Sequence, residues 1–310
     1  METIYDIVIV GGGPAGLTAA LYARRNGARV LLLEKEGYGG QIAYAPRVEN
    51  YPGVASLSGA ALAEQMTEQV LALDTETEVG TVNALEKVPE GWRVATEEGD
   101  AYLGRAVILA AGARHRTLGL PGEEELLGQG VSYCAVCDGD FYRDQDVAVA
   151  GGGDSALQEA LLLAGICRRV YLIHRRTELR GDRAKQDRLR ERANVELLTP
   201  MTVEALNARD GELKSLTLRN ADTGEKRELA VSCLFVSVGR VPELGAFASE
   251  LPLDQAGYAA LDEGCAAPAA GLFAAGDCRA KEVRQLTTAV GDGACAALAA
   301  CRYLESLDRA

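Results

Sequence analysis

Tyr5-Asp-Ile-Val-Ile-Val-Gly-Gly-Gly-Pro-Ala-Gly16 joins a continuous apolar run to three spaced glycines. The run at residues 5–10 is rich in β-branched side chains and predicts a buried parallel strand. Residues 17–26 then predict a helix that Gly27 ends, and residues 29–33 predict a second strand that Glu34 ends. Strand, glycine-rich turn, helix, strand and acid in this order predict a dinucleotide-binding βαβ unit.

The chemistry of dinucleotide binding explains these residue types. Glycines permit a tight turn and close approach of the backbone to a pyrophosphate, which rests on the helix N-terminus. The residues expected at this turn are Gly11, Gly13, Pro14, Ala15 and Gly16. Glu34 lies where a carboxylate would bind ribose hydroxyls. NAD and FAD both satisfy these requirements, and a plain glycine-rich turn without a ligand is the alternative.

The same pattern recurs 140 residues further on. Segment 146–156 aligns without gaps on segment 6–16, so Gly151 takes the place of Gly11. The residues expected to hold a second nucleotide are Gly151, Gly153, Asp154, Ser155 and Ala156. The chain therefore contains two copies of one nucleotide-binding unit, an internal repeat on the scale of a domain.

The two copies differ where their second strands end. At the same offset His174 replaces Glu34, and Arg175, Arg176 and, further on, Arg180 follow. A carboxylate suits a free 2′-hydroxyl and repels a 2′-phosphate, whereas guanidinium groups bind phosphate. The first copy is expected to bind FAD or NAD and the second NADP(H). A solvated basic patch is the alternative for the second.

A Cys-x-x-Cys pair, Cys134 and Cys137, lies just before the second copy, with Asp138 beside it. A thiolate is the nucleophile of disulfide exchange, and a neighbouring carboxyl can move the proton. This pattern indicates a redox-active dithiol, while half of a zinc site or two buried small residues are the alternatives. Zinc needs a second ligand pair. The chain has two histidines and no other Cys-x-x-Cys, so we expect no metal.

Length, charge and the distribution of apolar residues disfavour several classes of protein. The 310 residues suggest about two domains. With 32 basic and 45 acidic residues the net charge is −13, which disfavours nucleic-acid and anionic-membrane partners. There is no run of about 18 apolar residues, and the acidic N-terminus lacks the basic region of a signal peptide. We expect a cytoplasmic protein, in which a Cys-x-x-Cys pair is more typical of catalysis or metal binding than of a structural disulfide.

The remaining segments predict ordinary elements. A helix over 58–74 capped by Ser58 should precede a separate antiparallel layer, built from segments 77–83, 92–96 and 101–103. Residues 105–113 predict a buried strand, His115 a solvated linker position, and 201–229 a β-meander. The closing helix is expected to begin at Val283.

The whole chain resembles the low-molecular-weight, bacterial-type thioredoxin reductases. The resemblance rests on Gly39-Gly-Gln41, Glu49-Asn-Tyr-Pro-Gly53, Cys134-Ala-Val-Cys-Asp138 and Gly276-Asp277, together with both fingerprints. Ala111, Val136 and Leu179 depart from the residues usual in the family. The resemblance implies an α/β fold of two Rossmann-like, three-layer ββα dinucleotide-binding domains, the second inserted in the first. A discontinuous FAD domain (1–113 and 244–310) would surround an NADPH domain (114–243) that carries the dithiol.

The resemblance also implies roles for individual residues. Further contacts to a tightly bound FAD would come from Gly40, Gln41, Asn50, Gly112, Gly276, Asp277, Arg284, Gln285 and Leu286. Cys137 would meet the flavin, Cys134 would attack the partner disulfide, and Asp138 would protonate a sulfur. The implied activity is NADPH-dependent reduction of thioredoxin or a thioredoxin-like protein by a homodimer.

Two other functions fit part of the pattern. Ferredoxin-dependent flavin thioredoxin reductases resemble this scaffold but lack the NADPH signature, so the fingerprint at Gly151 and the Arg175-Arg176 pair argue against them. The second alternative is a non-catalytic flavin-binding module that senses redox state. Such a module would not require a dithiol beside an intact NADPH site, so the presence of both argues against it.

Overall fold

The computed structural model describes residues 3–45 and 47–309. The strands of the first part of the chain are β1 (Ile4–Val10), β2 (Val30–Glu34), β3 (Glu76–Val79), β4 (Val82–Val88), β5 (Gly91–Thr96), β6 (Ala101–Leu109) and β7 (Ala113–His115). Those of the remainder are β8 (Val131–Ser132), β9 (Asp146–Ala150), β10 (Arg169–Ile173), β11 (Val195–Leu198), β12 (Met201–Arg209), β13 (Glu212–Asn220), β14 (Lys226–Ala230), β15 (Cys233–Val236), β16 (Arg240–Pro242) and β17 (Leu272–Ala274). The α-helices are α1 (Pro14–Arg25), α2 (Gly59–Leu71), α3 (Ala135–Asp138), α4 (Asp154–Leu163), α5 (Arg183–Arg190) and α6 (Leu286–Asp308).

The chain divides into two compact units. The first unit runs as far as Arg114 and resumes at Val241, and the second is His115–Arg240. The first unit is therefore discontinuous in sequence, and the second is inserted in it. Among the residues that the structure describes, no helix is long and apolar enough to cross a membrane.

The first unit is built on one sheet with the strand order β3-β2-β1-β6-β5-β4, and β17 pairs with β6. β1 lies at its centre, parallel to β2 and β6. Alternate residues of β1 belong to different clusters: Ile7 and Ile9 pack with α1 and α6, while Val8 and Val10 pack with Trp92. A strand covered on both faces must be apolar throughout, as the sequence of β1 is.

The second unit repeats this arrangement. Its parallel sheet has the order β11-β10-β9-β15-β8, and β12, β13 and β14 form a separate antiparallel sheet. α4 begins at Asp154, 140 residues after α1 begins at Pro14. Gly151 N donates to Ile173 O at 3.0 Å, as Gly11 N donates to Leu33 O at 2.8 Å in the first unit. The predicted α/β fold of two Rossmann-like units is confirmed, and so is the predicted meander.

Five local predictions were wrong. Segment 77–83 contains two strands, and the β4–β5 hairpin is hydrogen-bonded through β6 into the main sheet instead of forming a separate layer. α2 has its predicted Ser58 cap but ends at Leu71. α6 begins at Leu286, because Gln285 and Thr288 form a capping box at its N-terminus. His115 stacks on Tyr133, and burial, helped by Arg240, lowers its pKa to about 4.

Two glycines of α6 should respond in opposite ways to replacement by alanine. A Cβ on Gly293 would lie 2.2 Å from Ala15 O, so Gly293→Ala must force α6 away from α1. We expect a cost of about 1–3 kcal/mol, as for other overpacked contacts. Gly291 meets nothing within 4 Å, so Gly291→Ala should stabilise the helix by about 0.5–1 kcal/mol. Thermal unfolding of both variants checks this, and equal shifts in Tm would contradict the packing described.

Candidate active site

The first glycine-rich turn is closed tightly by its own backbone. Gly11 has φ +107°, and a Cβ there would lie 2.4 Å from Ala110 O. A Cβ on Gly16 would lie 1.8 Å from Gly11 O. α1 begins after Gly13 with no side-chain cap and no acidic residue in its first turn. Its first N–H groups are therefore not engaged by a side-chain cap and can receive an anion.

Glu34 is held at the end of β2 by the backbone of the turn. Its Oε2 accepts a hydrogen bond from Gly12 N at 2.5 Å, and its Oε1 accepts one from Glu36 N at 3.1 Å. The residue is buried. Each carboxylate oxygen keeps further acceptor capacity. The carboxylate is thus fixed beside the glycine turn and fits the ribose of a dinucleotide.

Distant segments of the first unit converge on the same turn. A Cβ on Gly40 would lie 3.1 Å from Gly13 Cα, and one on Gly276 would lie 2.8 Å from Ala15 Cβ. Gly112 (φ +73°) follows β6. The Gln41 amide donates to Ala113 O, and Asn50 Nδ2 donates to Gln285 Oε1 at 3.3 Å. Gly40 and Gly276 therefore lie against the first turn, and Gln41 and Asn50 are each hydrogen-bonded to a distant segment of the same unit.

Arg284 is occupied by its own loop. Its guanidinium donates to the carbonyl oxygens of Asp277 (3.1 Å), Lys281 (2.9 Å) and Arg279 (2.9 Å), and lies 3.9 Å from the centre of the Tyr258 ring. Such bonds shape the loop that carries Asp277 just ahead of Leu286.

Asp292 is a site residue that the sequence analysis missed. It accepts hydrogen bonds from Gly276 N at 3.0 Å and Lys281 Nζ at 2.9 Å, and its other oxygen lies 2.8 Å from the Arg279 guanidinium. This largely buried carboxylate joins the Gly276 loop to α6. The signal available in the sequence was an acid on α6 shortly after three basic residues.

The second turn matches the first in its three consecutive glycines and differs at the three residues that follow them. Gly151 has φ +158°, and a Cβ there would lie 2.3 Å from Ser237 O. Ala156 is fully buried where Gly16 stands in the first unit, and Ser155 is exposed in the first turn of α4. Asp154 is engaged within the protein, since its Oδ1 accepts from Asp182 N at 3.0 Å and Lys185 Nζ at 2.9 Å.

His174 fills the space beside the second turn. A Cβ on Gly152 would lie 2.3 Å from His174 Nδ1, so the ring packs against the glycine backbone. Burial first, and then the positive charge of Arg180, lower the pKa of His174. Its Nε2 is buried and has no hydrogen-bond partner among the described residues. A neutral ring with one unused nitrogen fits a polar ligand at this position.

Three arginines surround that position. Arg175, Arg176 and Arg180 are all exposed, and within residues 3–45 and 47–309 none forms an ion pair with an acidic side chain. Arg180 N donates to Gly152 O at 2.7 Å, which fixes this residue against the glycine turn. Unpaired guanidinium groups in so acidic a chain form a receptor suited to phosphate.

The dithiol lies at the start of α3 in the second unit. Cys134 and Cys137 form a disulfide with 5.3 Å between their Cα atoms. Cys134 is the N-cap of α3, and its sulfur accepts a hydrogen bond from Cys137 N at 3.2 Å. Cys137 is exposed and Cys134 half-buried. In the part of the chain that the structure describes, no three His, Cys, Asp or Glu side chains could hold a metal ion.

Asp138 completes this cluster. Burial raises its pKa, and a hydrogen bond donated by Ser132 Oγ to Asp138 Oδ2 at 2.6 Å opposes that rise. Burial raises the pKa values of Tyr142 and Cys233, and both are close enough for the charge of Asp138 to raise them further. Sequence reasoning found Asp138 but missed Ser132, Tyr142 and Cys233, which lie on other elements.

Comparisons with known proteins agree with this geometry. The model of the pyridine nucleotide-disulphide oxidoreductase family matches residues 5–293. Thioredoxin reductase of Treponema pallidum is 42% identical over 308 residues, covering 99% of both chains. A bifunctional thioredoxin reductase/thioredoxin of Mycobacterium leprae is 41% identical over 305 residues, covering 98% of this chain and 66% of that protein.

A solved structure of a thioredoxin reductase is also similar to this chain. The crystal structure of thioredoxin reductase from Streptococcus pyogenes has a TM-score of 0.94 at 40% identity, covering 99% of this chain and 100% of that one. The chain thus has two dinucleotide turns and a dithiol, and its relatives match along its whole length. It belongs to the pyridine nucleotide-disulphide oxidoreductase family and, within it, to the thioredoxin reductases.

Proposed function

We propose that this enzyme is an NADPH-dependent thioredoxin-disulfide reductase that carries FAD in its first unit and binds NADPH in its second. The observation that carries the proposal is the Cys134–Cys137 disulfide beside a half-buried acid, in the same unit as a glycine-rich turn flanked by unpaired arginines. The names of the relatives support thioredoxin as the disulfide substrate.

The two turns support different nucleotides. Glu34 is fixed where it can accept hydrogen bonds from ribose hydroxyls, and the Gly11–Gly16 turn offers the N–H groups of α1 to the pyrophosphate of FAD. Gly40, Gln41, Asn50, Gly112, Gly276, Asp277, Arg284, Gln285 and Leu286 complete the proposed flavin site. In the second unit Arg175, Arg176 and Arg180 are the proposed ligands of a 2′-phosphate, with His174 and the turn at Gly151, Gly153, Asp154, Ser155 and Ala156. When bound, the two cofactors supply a hydride and pass two electrons to the disulfide.

The protein residues then carry out disulfide exchange. Once the Cys134–Cys137 bond is reduced, the Cys134 thiolate attacks oxidised thioredoxin and forms a mixed disulfide. The displaced thioredoxin sulfur leaves as a thiolate, and Asp138 supplies a proton to it. The Cys137 thiolate then attacks the Cys134 sulfur, re-forming the enzyme disulfide and releasing the second thioredoxin thiolate. Two electrons have moved to thioredoxin, and the bonds broken equal the bonds formed.

The choice of Cys134 as the attacking sulfur rests on the resemblance to thioredoxin reductases. Exposure by itself would favour Cys137. The hydrogen bond that the Cys134 sulfur accepts from Cys137 N at 3.2 Å supports Cys134, because a bond of this kind favours a charged acceptor.

Three broader assignments belong to the same proposal. The first unit is the FAD domain and the inserted unit the NADPH domain. The resemblance to thioredoxin reductases supports a homodimer. The Cys134–Cys137 pair must be oxidised and reduced again in every turnover. This supports a cytoplasmic location, where thiols are kept reduced.

Removal of the arginines should change the nucleotide preference. We expect Arg175→Ala/Arg176→Ala to raise the KM for NADPH by at least about 100-fold, since two charge-assisted contacts of about 1.5–3 kcal/mol each are lost. The KM for NADH should stay nearly constant. Steady-state thioredoxin reduction with each nucleotide measures this, with Arg188→Ala on α5 as the control. Equal loss with both nucleotides would contradict the proposed 2′-phosphate site.

A further inference from the structure

Ser132 lies between the acid and the dithiol. It is 2% exposed and forms the end of β8, where it pairs with Phe235 of β15. Its Oγ accepts a hydrogen bond from Cys134 N at 3.0 Å and donates one to Asp138 Oδ2 at 2.6 Å. One hydroxyl thus contacts both the backbone of the first cysteine and the carboxyl group of the proposed acid.

We propose that Ser132 is a positioning residue that holds Asp138 in place to deliver its proton during disulfide exchange. This inference rests on the proposed function, in which Asp138 is the acid. Because Ser132 Oγ already accepts the Cys134 N–H, its own hydrogen is available to the carboxyl group. That bond forms whether Asp138 is ionised or protonated. It occupies Oδ2 and leaves Oδ1 as the oxygen that holds and releases the proton.

The hydrogen bond also adjusts the acidity of Asp138. A bond donated to a carboxylate is charge-assisted and stronger than one to the neutral acid, so it favours the ionised form. Burial acts in the opposite direction and has the larger effect on the pKa. Loss of the Ser132 hydroxyl should therefore raise the pKa of Asp138 further, which makes it a slower proton donor and moves the loss of its proton to higher pH.

The other groups around Asp138 do not duplicate this role. Tyr142 and Cys233 face it, and burial raises the pKa values of both, so they remain neutral over the working range. From α4 and its end, Leu163 and Ile166 pack against Gly139, and both are apolar. Among the residues that the structure describes, the dithiol is the other redox-active or titratable group adjacent to Asp138 along the chain.

The test is a comparison of Ser132→Ala, Ser132→Thr and Asp138→Asn in thioredoxin reduction by the holoenzyme across pH. Wild-type turnover is measured first, so failure of the proposed function would show before any variant is made. We expect Asp138→Asn to lower turnover about 100-fold, within the range of general acid catalysis. Ser132→Ala should lower it about tenfold and move the alkaline limb of the pH profile upward, and Ser132→Thr should restore both.

A double variant separates positioning from a general structural effect. If Ser132 acts through Asp138, Ser132→Ala should add nothing to Asp138→Asn, because interacting residues are not additive. The control is Ser215→Ala, which removes another buried serine hydroxyl bonded to a carboxylate, that of Glu228, in the same unit. An unmoved alkaline limb in Ser132→Ala, or full additivity in the double variant, would overturn the proposal. Normal turnover of Asp138→Asn would overturn the role of Asp138 itself.

Discussion

Replacing Cys134 or Cys137 by serine should abolish reduction of thioredoxin while leaving reduction of the bound flavin by NADPH intact. Serine has the shape of cysteine but no thiolate near neutral pH, so the Cys134–Cys137 disulfide cannot form in either variant, and Cys134→Ser also loses the attack on the partner disulfide. We expect turnover with thioredoxin to fall about 10⁴-fold or more, as when other enzymes lose a nucleophile. Stopped-flow reduction of the flavin and steady-state thioredoxin assays measure the two halves separately.

The same two variants show which sulfur attacks. With Cys137→Ser, the mixed disulfide between Cys134 and thioredoxin cannot be resolved and should accumulate as a covalent complex visible on a non-reducing gel. Cys134→Ser should give no such complex. The control is Cys295→Ser, which removes an exposed free cysteine from the first unit and should leave turnover unchanged. A complex formed by Cys134→Ser alone would reverse the assignment of the two cysteines.

Alanine at the middle glycine of each turn should remove one nucleotide without disturbing the fold. Gly13 has φ −75°, and an added Cβ would meet only Gly40 Cα, at 3.9 Å. Gly153 has φ −96°, and an added Cβ would meet nothing within 4 Å. The protein tolerates both methyl groups, but the middle glycine is where the backbone approaches a pyrophosphate. We expect at least a hundredfold loss of affinity, about 2.7 kcal/mol, at the altered turn alone.

The two variants are controls for each other. Gly13→Ala should be isolated without flavin and should still bind NADP⁺ in a calorimetric titration. Gly153→Ala should keep its flavin absorbance and lose NADP⁺ binding. Circular dichroism should be the same as for the wild type in both cases. Loss of NADP⁺ binding in Gly13→Ala, or of flavin in Gly153→Ala, would contradict the assignment of nucleotides to the two units.

The parts of the fold that could be predicted are those set by local backbone chemistry. The turn at Gly11 accepts no side chain because Ala110 O lies in the way, and the same restriction recurs at Gly151 with Ser237 O. A position without room for a side chain must be glycine, so such positions can be recognised in the sequence. α1 begins at Pro14, three residues before its predicted start at Leu17, and α4 begins at Asp154 with the same offset of 140 residues that relates the two glycine-rich turns.

The parts that could not be predicted depend on how separate elements pack against one another. Ser132 lies at the end of β8, which pairs with β15, and its hydroxyl is hydrogen-bonded to Asp138 at the end of α3. The pattern of residue types in the sequence does not indicate this contact. Asp292 reaches Gly276 through the packing of α6 on its loop. The start of α6 was misplaced because Gln285 and Thr288 act as a capping box, in place of the Ser/Thr and Glu/Gln pair that signals one.

The most direct test of the central claim is anaerobic reduction of the yellow protein by NADPH or NADH, followed by addition of oxidised thioredoxin. We predict that NADPH bleaches the flavin quickly, that NADH does so poorly, and that thioredoxin restores the colour through Cys134 and Cys137. A flavin that NADPH leaves oxidised but reduced ferredoxin bleaches would contradict the assignment of the electron donor. A reduced flavin that thioredoxin never reoxidises would contradict the proposed substrate.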